Sequence, residues 1–254
     1  MHWLCDSHIH LSDPEYQTDI LHIINVMELL KFKACCVSVD YETSVNTLSL
    51  SKKSQNILPF VGIHPEMALQ DTSDVFEMIK QKDKEIIGIG EIGLDKTYTK
   101  SDEDWDIQKE VFSKQLSFAE KFKKPVSIHS RNTLDEIFEI ISSFNLNGVL
   151  LHWFDGSKNQ LRHAMDLGFY VSYGPVLVYA NDKQTLLHKT DYDRILVETD
   201  GPVKFSHCFN HKITQIQFLP SVVYCASKIL KMPYDNLIIQ LEENSQKFLN
   251  LKKF

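Results

Sequence analysis

The sequence predicts a single (β/α)₈ barrel, and two observations carry this prediction. Eight short apolar runs rich in strand-forming residues alternate with longer stretches of helical periodicity along the 254 residues. Histidines and carboxylates stand at the ends of most of these runs, where a parallel barrel gathers its active-site residues. An open doubly wound sheet is the alternative architecture, because alternation alone does not show that the sheet closes.

The predicted strands are bounded by turn residues and are rich in Val, Ile, Leu and aromatic side chains. In chain order they span residues 3–9, 34–39, 58–63, 86–91, 125–129, 149–153, 169–173 and 194–199. The clearest predicted helix spans residues 105–122, where Val111, Gln115 and Ala119 recur on one face. Residues 220–230 and 234–249 are predicted as the closing helices.

The composition predicts one globular domain over residues 1–254. Hydrophobic residues make up 43% and charged residues 24%, and no Pro-, Gly- or Ser-rich stretch divides the chain. The N-terminus lacks a basic segment followed by a long apolar run, so we expect a cytoplasmic protein with no membrane partner. Five cysteines without C-x-x-C spacing predict neither a disulfide framework nor a thiolate metal site. No feature indicates an obligate protein partner.

The net charge of −7 argues against a protein that coats nucleic acid, because that mode needs many Lys and Arg contacts to phosphates. The charge does not exclude an enzyme that cleaves a phosphate ester. Bound metal ions and a few basic residues at the mouth of the site can supply the positive charge locally.

Six ionisable residues are candidate metal ligands because each lies at or near the C-terminal end of a predicted strand. In a parallel barrel these ends face one rim, so residues distant in sequence converge on one cavity. Two imidazoles two residues apart on a strand point to the same face and can reach one cation, and Asp6 or Ser7 is expected to orient one of the two rings. The candidate ligands are His8, His10, Glu91, His129, His152 and Asp200.

Two carboxylates are also candidate catalytic residues. Glu91 ends a glycine-punctuated apolar strand, where a buried carboxylate without a cation would be costly. Asp200 precedes a sharp Gly-Pro turn. We hypothesise that a metal-bound water is the nucleophile of a hydrolytic reaction and that Asp200 accepts its proton. Glu198, one pleat deeper, is expected to support the site from the interior. Asp95 either braces its loop or takes part in the site, and both interpretations stay open.

Four residues are candidate substrate contacts. The planar guanidinium of Arg131, two residues past His129, matches phosphate oxygens, although a surface salt bridge is its alternative role. If the substrate is a nucleic acid, one of its nucleobases can stack on the ring of Trp153 or Tyr173. The substrate-binding set is Arg131, His64, Lys204 and Trp153. Structural roles are expected for the remaining histidines, which are His2, His22, His163, His188, His207 and His211.

Nearly the whole chain resembles the TatD family of metal-dependent deoxyribonucleases, within the amidohydrolase-like barrels. The motifs occur in the family's order, and together they are far more specific than any one alone. They include Asp6-Ser-His8-Ile-His10, Gly62-Ile-His64-Pro65, Gly90-Glu91-Ile-Gly93-Leu-Asp95, Pro125-Val-Ser-Ile-His129-Ser-Arg131, His152-Trp-Phe-Asp-Gly156 and Glu198-Thr-Asp200-Gly-Pro202.

The resemblance implies two divalent metal ions. One is held by His8, His10 and Asp200, a second by His129 and His152, and Glu91 joins both. It also implies hydrolysis of DNA, including removal of nucleotides from the 3′ end, with single strands or 3′ ends as the substrate. Mg²⁺ is the activating ion that the family suggests, whereas mixed imidazole and carboxylate ligands also suit Zn²⁺, Mn²⁺, Fe²⁺ or Ni²⁺.

The chain departs from the family pattern at the substrate rim. Lys96 stands where the family often has Tyr, and Trp153-Phe-Asp155 replaces the usual Cys-Phe-Ser. The segment after Pro202 is short and lacks the frequent Arg and Asn-x-Pro. Hydrolysis of a small amide, lactone or phosphoester is therefore the alternative activity, because the same metals polarise a carbonyl. A noncatalytic binding module is the third hypothesis.

Overall fold

Eight parallel strands close into a barrel in the order of the sequence in this computed structural model, which describes residues 2–254. Backbone hydrogen bonds close the barrel between its first and last strands: Asp200 N donates to His8 O at 3.0 Å and His10 N donates to Gly201 O at 2.8 Å. The strands are β1 Leu4–Ile9, β2 Phe32–Cys36, β3 Ile57–Val61, β4 Gly88–Asp95, β5 Val126–Arg131, β6 Val149–Leu151, β7 Tyr170–Tyr173 and β8 Ile195–Val197. The barrel prediction is therefore confirmed against the open sheet.

All eight predicted strands are present, and their bounds differ by a few residues. The largest difference is in β4, which was expected to end at Glu91 but continues to Asp95. Its pairing with β5 is interrupted between Ile89 and Ile92 and then resumes, so that Asp95 lies beside Arg131. Such irregularities redirect side chains at barrel rims, and here Glu91 lies inside the interruption.

Nine helices surround the strands in the described part of the chain. The longest, predicted at 105–122, begins three residues earlier, because Ser101 Oγ accepts a hydrogen bond from Asp104 N and acidic residues fill the first turn. The helices are α1 Ile20–Leu30, α2 Tyr41–Ser51, α3 Ser73–Gln81, α4 Asp102–Phe122, α5 Leu134–Ile141, α6 Lys158–Asp166, α7 Asn181–Leu187, α8 Leu219–Leu230 and α9 Tyr234–Phe248. Within residues 2–254, none of them combines the length and apolarity needed to cross a membrane.

The core has two layers because successive strand side chains alternate between the barrel interior and the helices. The larger layer lies between strands and helices and includes Ile9, Ile89 and Phe112. The smaller layer includes Cys5, Cys35, Phe60, Leu150 and Leu196, with Phe248 of α9 packed against it. Apolar side chains fill this part of the barrel interior. The polar candidate ligands lie at or near the C-terminal ends of the strands.

Candidate metal centre

The predicted ligands meet at the C-terminal mouth of the barrel around the carboxylate of Glu91. His8 lies in β1 and His10 directly follows it, while Glu91 lies in β4 and His129 in β5. His152 directly follows β6, and Asp200 lies in the turn after β8 with a φ of 51°. These six side chains converge at one mouth of the barrel, as predicted.

His8, His10, Glu91 and Asp200 form one group of converging nitrogen and oxygen atoms. The Nε2 atoms of the two histidines are 3.3 Å apart. Each lies 3.4 Å from Glu91 Oε2 and 3.6 Å from Asp200 Oδ1. Ligands about 2.1 Å from a tetrahedrally coordinated ion are separated from one another by about 3.4 Å. These side chains therefore fit a divalent cation.

A second group forms on the other oxygen of Glu91. Glu91 Oε1 lies 2.8 Å from His152 Nε2, 3.0 Å from His129 Nδ1 and 3.5 Å from His64 Nε2. The rings of His8 and His152 stack with centroids 3.7 Å apart, so His152 lies between the two groups. Glu91 thus joins both groups through its two oxygens.

His64 belongs to this cluster by position, although the sequence suggested it only as a substrate contact. The side chain of His64 is 9% exposed, and its ring meets the ring of His129 edge to face at 4.7 Å. His64, Glu91 and His129 together are one of the groups whose atoms are close enough to hold an ion. The available signal was its place just after the third strand, equivalent to the places of the other candidates.

Burial leaves two imidazoles of the cluster neutral and able to bind a cation. Burial lowers the pKa of His8 and of His64 to about 4, so both rings are neutral near pH 7 and their lone pairs are free. Burial opposes ionisation of Glu91, but the surrounding imidazoles outweigh it and hold the pKa of Glu91 well below its usual range. Burial also opposes protonation of His129, yet its hydrogen bonds to Asp95 and Glu91 raise its pKa to about 9.

The ring of His8 is oriented from across the barrel rather than from its own strand. Its Nδ1 is 2.8 Å from the hydroxyl oxygen of Ser127 on β5, which leaves Nε2 directed at the cluster. The expectation that Asp6 or Ser7 orients the ring is wrong. Asp6 accepts instead from the backbone N–H of Thr199 and of His8, and Ser7 donates to a β8 carbonyl.

Asp95 combines the two roles that the sequence left open. Its Oδ2 lies 3.1 Å from His129 Nε2, so the carboxylate accepts from that nitrogen and His129 Nδ1 faces Glu91. Its Oδ1 accepts from the backbone N–H of Thr97 at 2.8 Å and from the Thr97 hydroxyl at 2.7 Å, which caps the short turn that follows β4. Gln108 of α4 fixes the Asp95 backbone through both its N–H and its carbonyl.

Glu198 supports the site from the interior, as expected. Its Oε1 accepts from the backbone N–H of Trp153 at 2.8 Å, and its Oε2 accepts from the Ser172 hydroxyl. Burial raises the pKa of Glu198 well above its usual value, and the nearby charge of Asp200 acts in the same direction. Glu198 thereby holds the residue that follows His152.

The candidate substrate contacts occupy different parts of the rim. Lys204 is exposed, pairs with Glu15 at 3.3 Å, and lines a cleft of about 490 Å³ together with His64 and Glu91. Arg131 is exposed at the end of β5 and lines a neighbouring cleft of about 350 Å³.

The two aromatic candidates for base stacking differ in accessibility. Trp153 is partly exposed beside the centre, with a φ of 40°. Tyr173 is 3% exposed, and its hydroxyl is hydrogen-bonded to Thr190. The suggestion that Tyr173 stacks on a base is therefore wrong, because the buried ring presents no free face.

A closed eight-stranded barrel with paired imidazole and carboxylate groups at its C-terminal mouth defines a metal-dependent hydrolase. The profile of the family described as TatD related DNase matches residues 5–250. The chain belongs to this family.

Named relatives and a solved structure are similar to this chain over most of its length. The uncharacterized metal-dependent hydrolase YabD of Bacillus subtilis is 28% identical over 255 residues, covering 98% of this chain and 99% of YabD. Human Deoxyribonuclease TATDN3 is 24% identical over 213 residues, 78% of each chain. The crystal structure of YJJV, a TatD homolog from Escherichia coli, shares the fold with a TM-score of 0.89 at 22% identity over 98% of each chain.

Proposed function

We propose that this chain is a deoxyribonuclease that cleaves phosphodiester bonds of DNA and removes nucleotides from the 3′ end of single strands. The observation that carries the proposal is the cluster around Glu91, which opens onto a cleft lined by His10 and His64. The family match and the human relative named as a deoxyribonuclease support DNA as the substrate.

Two divalent cations would be held by the two groups that share Glu91. His8, His10 and Asp200 would hold one, and His129 and His152, with His64 beside them, would hold the other. Bound there, the cations would lower the pKa of water and neutralise the charge that develops on the phosphate oxygens. Mg²⁺ remains the activating ion that the family suggests, and the nitrogen ligands also suit Mn²⁺, Zn²⁺ or Ni²⁺.

The residues of the chain would contribute positioning and proton transfer. Asp200 lies at the mouth with its Oδ1 near the His8 and His10 nitrogens, so it can accept the proton of the attacking water. Lys204, in the cleft that contains Glu91, would neutralise the reacting phosphate, and Arg131, in the neighbouring cleft, would bind a phosphate further along the strand.

The rim has few basic residues, and this predicts a weak dependence of binding on salt. Single strands lose affinity with a logarithmic slope of about −0.7 per phosphate contact, so one or two contacts give a slope of about −1. Arg131→Gln should reduce the slope by about 0.7, whereas Arg162→Gln on α6 should leave it unchanged. An equal loss of affinity at every salt concentration would contradict a phosphate contact by Arg131.

End-labelled single-stranded DNA, duplex DNA and RNA, incubated with each of several divalent ions and with a chelator, test the proposal. We expect nucleotides to be released stepwise from the 3′ end of DNA, with release abolished by the chelator. Absence of release with every ion would reject it. Hydrolysis of a small amide, lactone or phosphoester would then favour the alternative activity. Asp13 and Glu66 line the cleft, and their negative charges would repel a DNA strand more strongly than an uncharged amide or lactone.

A further inference from the structure

Four aromatic rings lie beside the metal centre on the segments that follow β6, β7 and β8. The rings of Trp153 and Phe205 pack with centroids 5.2 Å apart at an angle of 37°. The rings of Tyr179 and His207 pack with centroids 4.3 Å apart at an angle of 34°. We refer to these four residues as the aromatic ledge.

The aromatic ledge is continuous with the centre. Trp153 directly follows His152, and together with Phe205 and Asp200 it lines one small cavity. This cavity measures about 10 Å³, which is room for about one water molecule. A ring from a substrate therefore cannot enter behind Trp153 and can only lie on its outer, partly exposed face.

The first ring of the ledge is held in place before any substrate binds. The backbone of Trp153 has a φ of 40°, and its N–H donates to the buried Glu198 carboxylate. Because the backbone of this aromatic residue is already fixed, stacking on it costs little conformational entropy. Phe205, which packs against Trp153, is buried and supports the ring from below.

In the second pair, His207 lies on the loop after β8 that also carries Phe205, and Tyr179 lies on the segment after β7. His207 is two residues from Phe205, so their Cα atoms are at most about 7 Å apart. His207 is exposed and Tyr179 is partly exposed, and the hydroxyl of Ser206 lies 3.5 Å from that of Tyr179. The ledge therefore presents two accessible aromatic surfaces in succession, which is how single-stranded nucleic acids are bound without sequence preference.

We propose that the aromatic ledge is a nucleobase-stacking subsite for the unpaired terminal bases of the strand that is cleaved. The proposal rests on the proposed function and extends it. A base within a duplex has both faces covered by its neighbours, so only an unpaired or frayed end can use the ledge. Stacking also provides affinity without a basic surface, as a chain with a net charge of −7 requires.

Enzyme variants combined with substrates that lack terminal bases test the ledge. The substrate is a labelled single-stranded oligonucleotide whose two terminal nucleotides either carry bases or are abasic, and the readout is kcat/KM. Removing the bases should slow the wild type about fivefold to a hundredfold, the range found for loss of one stacked base. Trp153→Ala should slow the normal substrate by a similar factor and lose most of the sensitivity to base removal, with a remainder from the Tyr179 and His207 pair.

Three further variants distinguish the loss of a stacking surface from misfolding of the Trp153→Ala protein. Trp153→Phe should restore most of the sensitivity to base removal, and His207→Ala should reduce it in part. Tyr224→Ala, at an exposed aromatic residue of α8 with 57% exposure, should behave as the wild type. An abasic penalty that persists in full in Trp153→Ala, or its absence in the wild type, would overturn the ledge while leaving DNA hydrolysis established. Absence of hydrolysis of both substrates would overturn the proposed function itself.

Discussion

Replacement of Asp95 by Asn tests whether orientation of His129 is needed for metal binding. In Asp95→Asn the amide oxygen can still accept from Thr97 and cap the turn. The amide nitrogen, however, would replace the oxygen that lies 3.1 Å from His129 Nε2. Two N–H donors would then face each other, which favours the ring tautomer with its proton on Nδ1, the atom 3.0 Å from Glu91.

The expected magnitude follows from the single hydrogen bond that is lost. Loss of a carboxylate that orients a ligating histidine costs about 10- to 100-fold in metal affinity or activity, or about 1.4–2.7 kcal/mol. The folding stability of Asp95→Asn should change little, because the cap is retained. Asp95→Ala removes the cap as well and should lower the free energy of unfolding by a further ~1 kcal/mol.

The assay is titration of chelator-treated protein with a divalent ion, followed by hydrolytic activity and by urea unfolding. Thr97→Val is the matched control, because it removes the hydroxyl that binds Asp95 Oδ1 but leaves the contact between Asp95 and His129. It should lower stability slightly and leave metal affinity within about twofold of the wild type. An Asp95→Asn protein with wild-type metal affinity would refute the orienting role.

Three further outcomes are expected. Glu91→Gln and Asp200→Asn should each reduce kcat/KM to a few per cent or less with an unchanged circular dichroism spectrum, and higher retention would reject their catalytic assignment. Because hydrogen bonds to carboxylates raise the pKa of His129 to about 9, a cation must displace its proton below that pH. Metal affinity should therefore rise by up to about tenfold per pH unit from pH 7 to 9 and then level off, and a flat titration would contradict this. Gly201→Ala should lower the free energy of unfolding by about 1–3 kcal/mol, because the added Cβ would collide with the Tyr16 hydroxyl; an unchanged urea midpoint would show that the loop relaxes.

The strand prediction succeeded where the pattern is local. Each strand is a short apolar run between stretches of helical periodicity, so residues such as Val126 and Leu196 were correctly placed in strands. It failed at the end of β4, because Ile92–Asp95 form a strand only through resumed pairing with β5. The sequence of one segment does not show which residues of another strand will pair with it.

The candidate ligands were predictable for a related reason. His10, His129 and Asp200 stand at strand ends, and parallel strands bring such ends together whatever their distance in sequence. The sequence therefore determined which residues meet, and the family motifs determined the class of enzyme.

Only the tertiary structure shows which neighbours orient these residues and how the residues are distributed between the two groups of candidate ligands. Ser127 orients His8 from the opposite side of the barrel, and His152 lies between the two groups rather than clearly in one. Trp153 forms its surface with Phe205, a residue far along the chain. Sequence spacing along one strand specifies the face on which a side chain lies, but contacts between strands depend on barrel closure and register, which no single segment encodes.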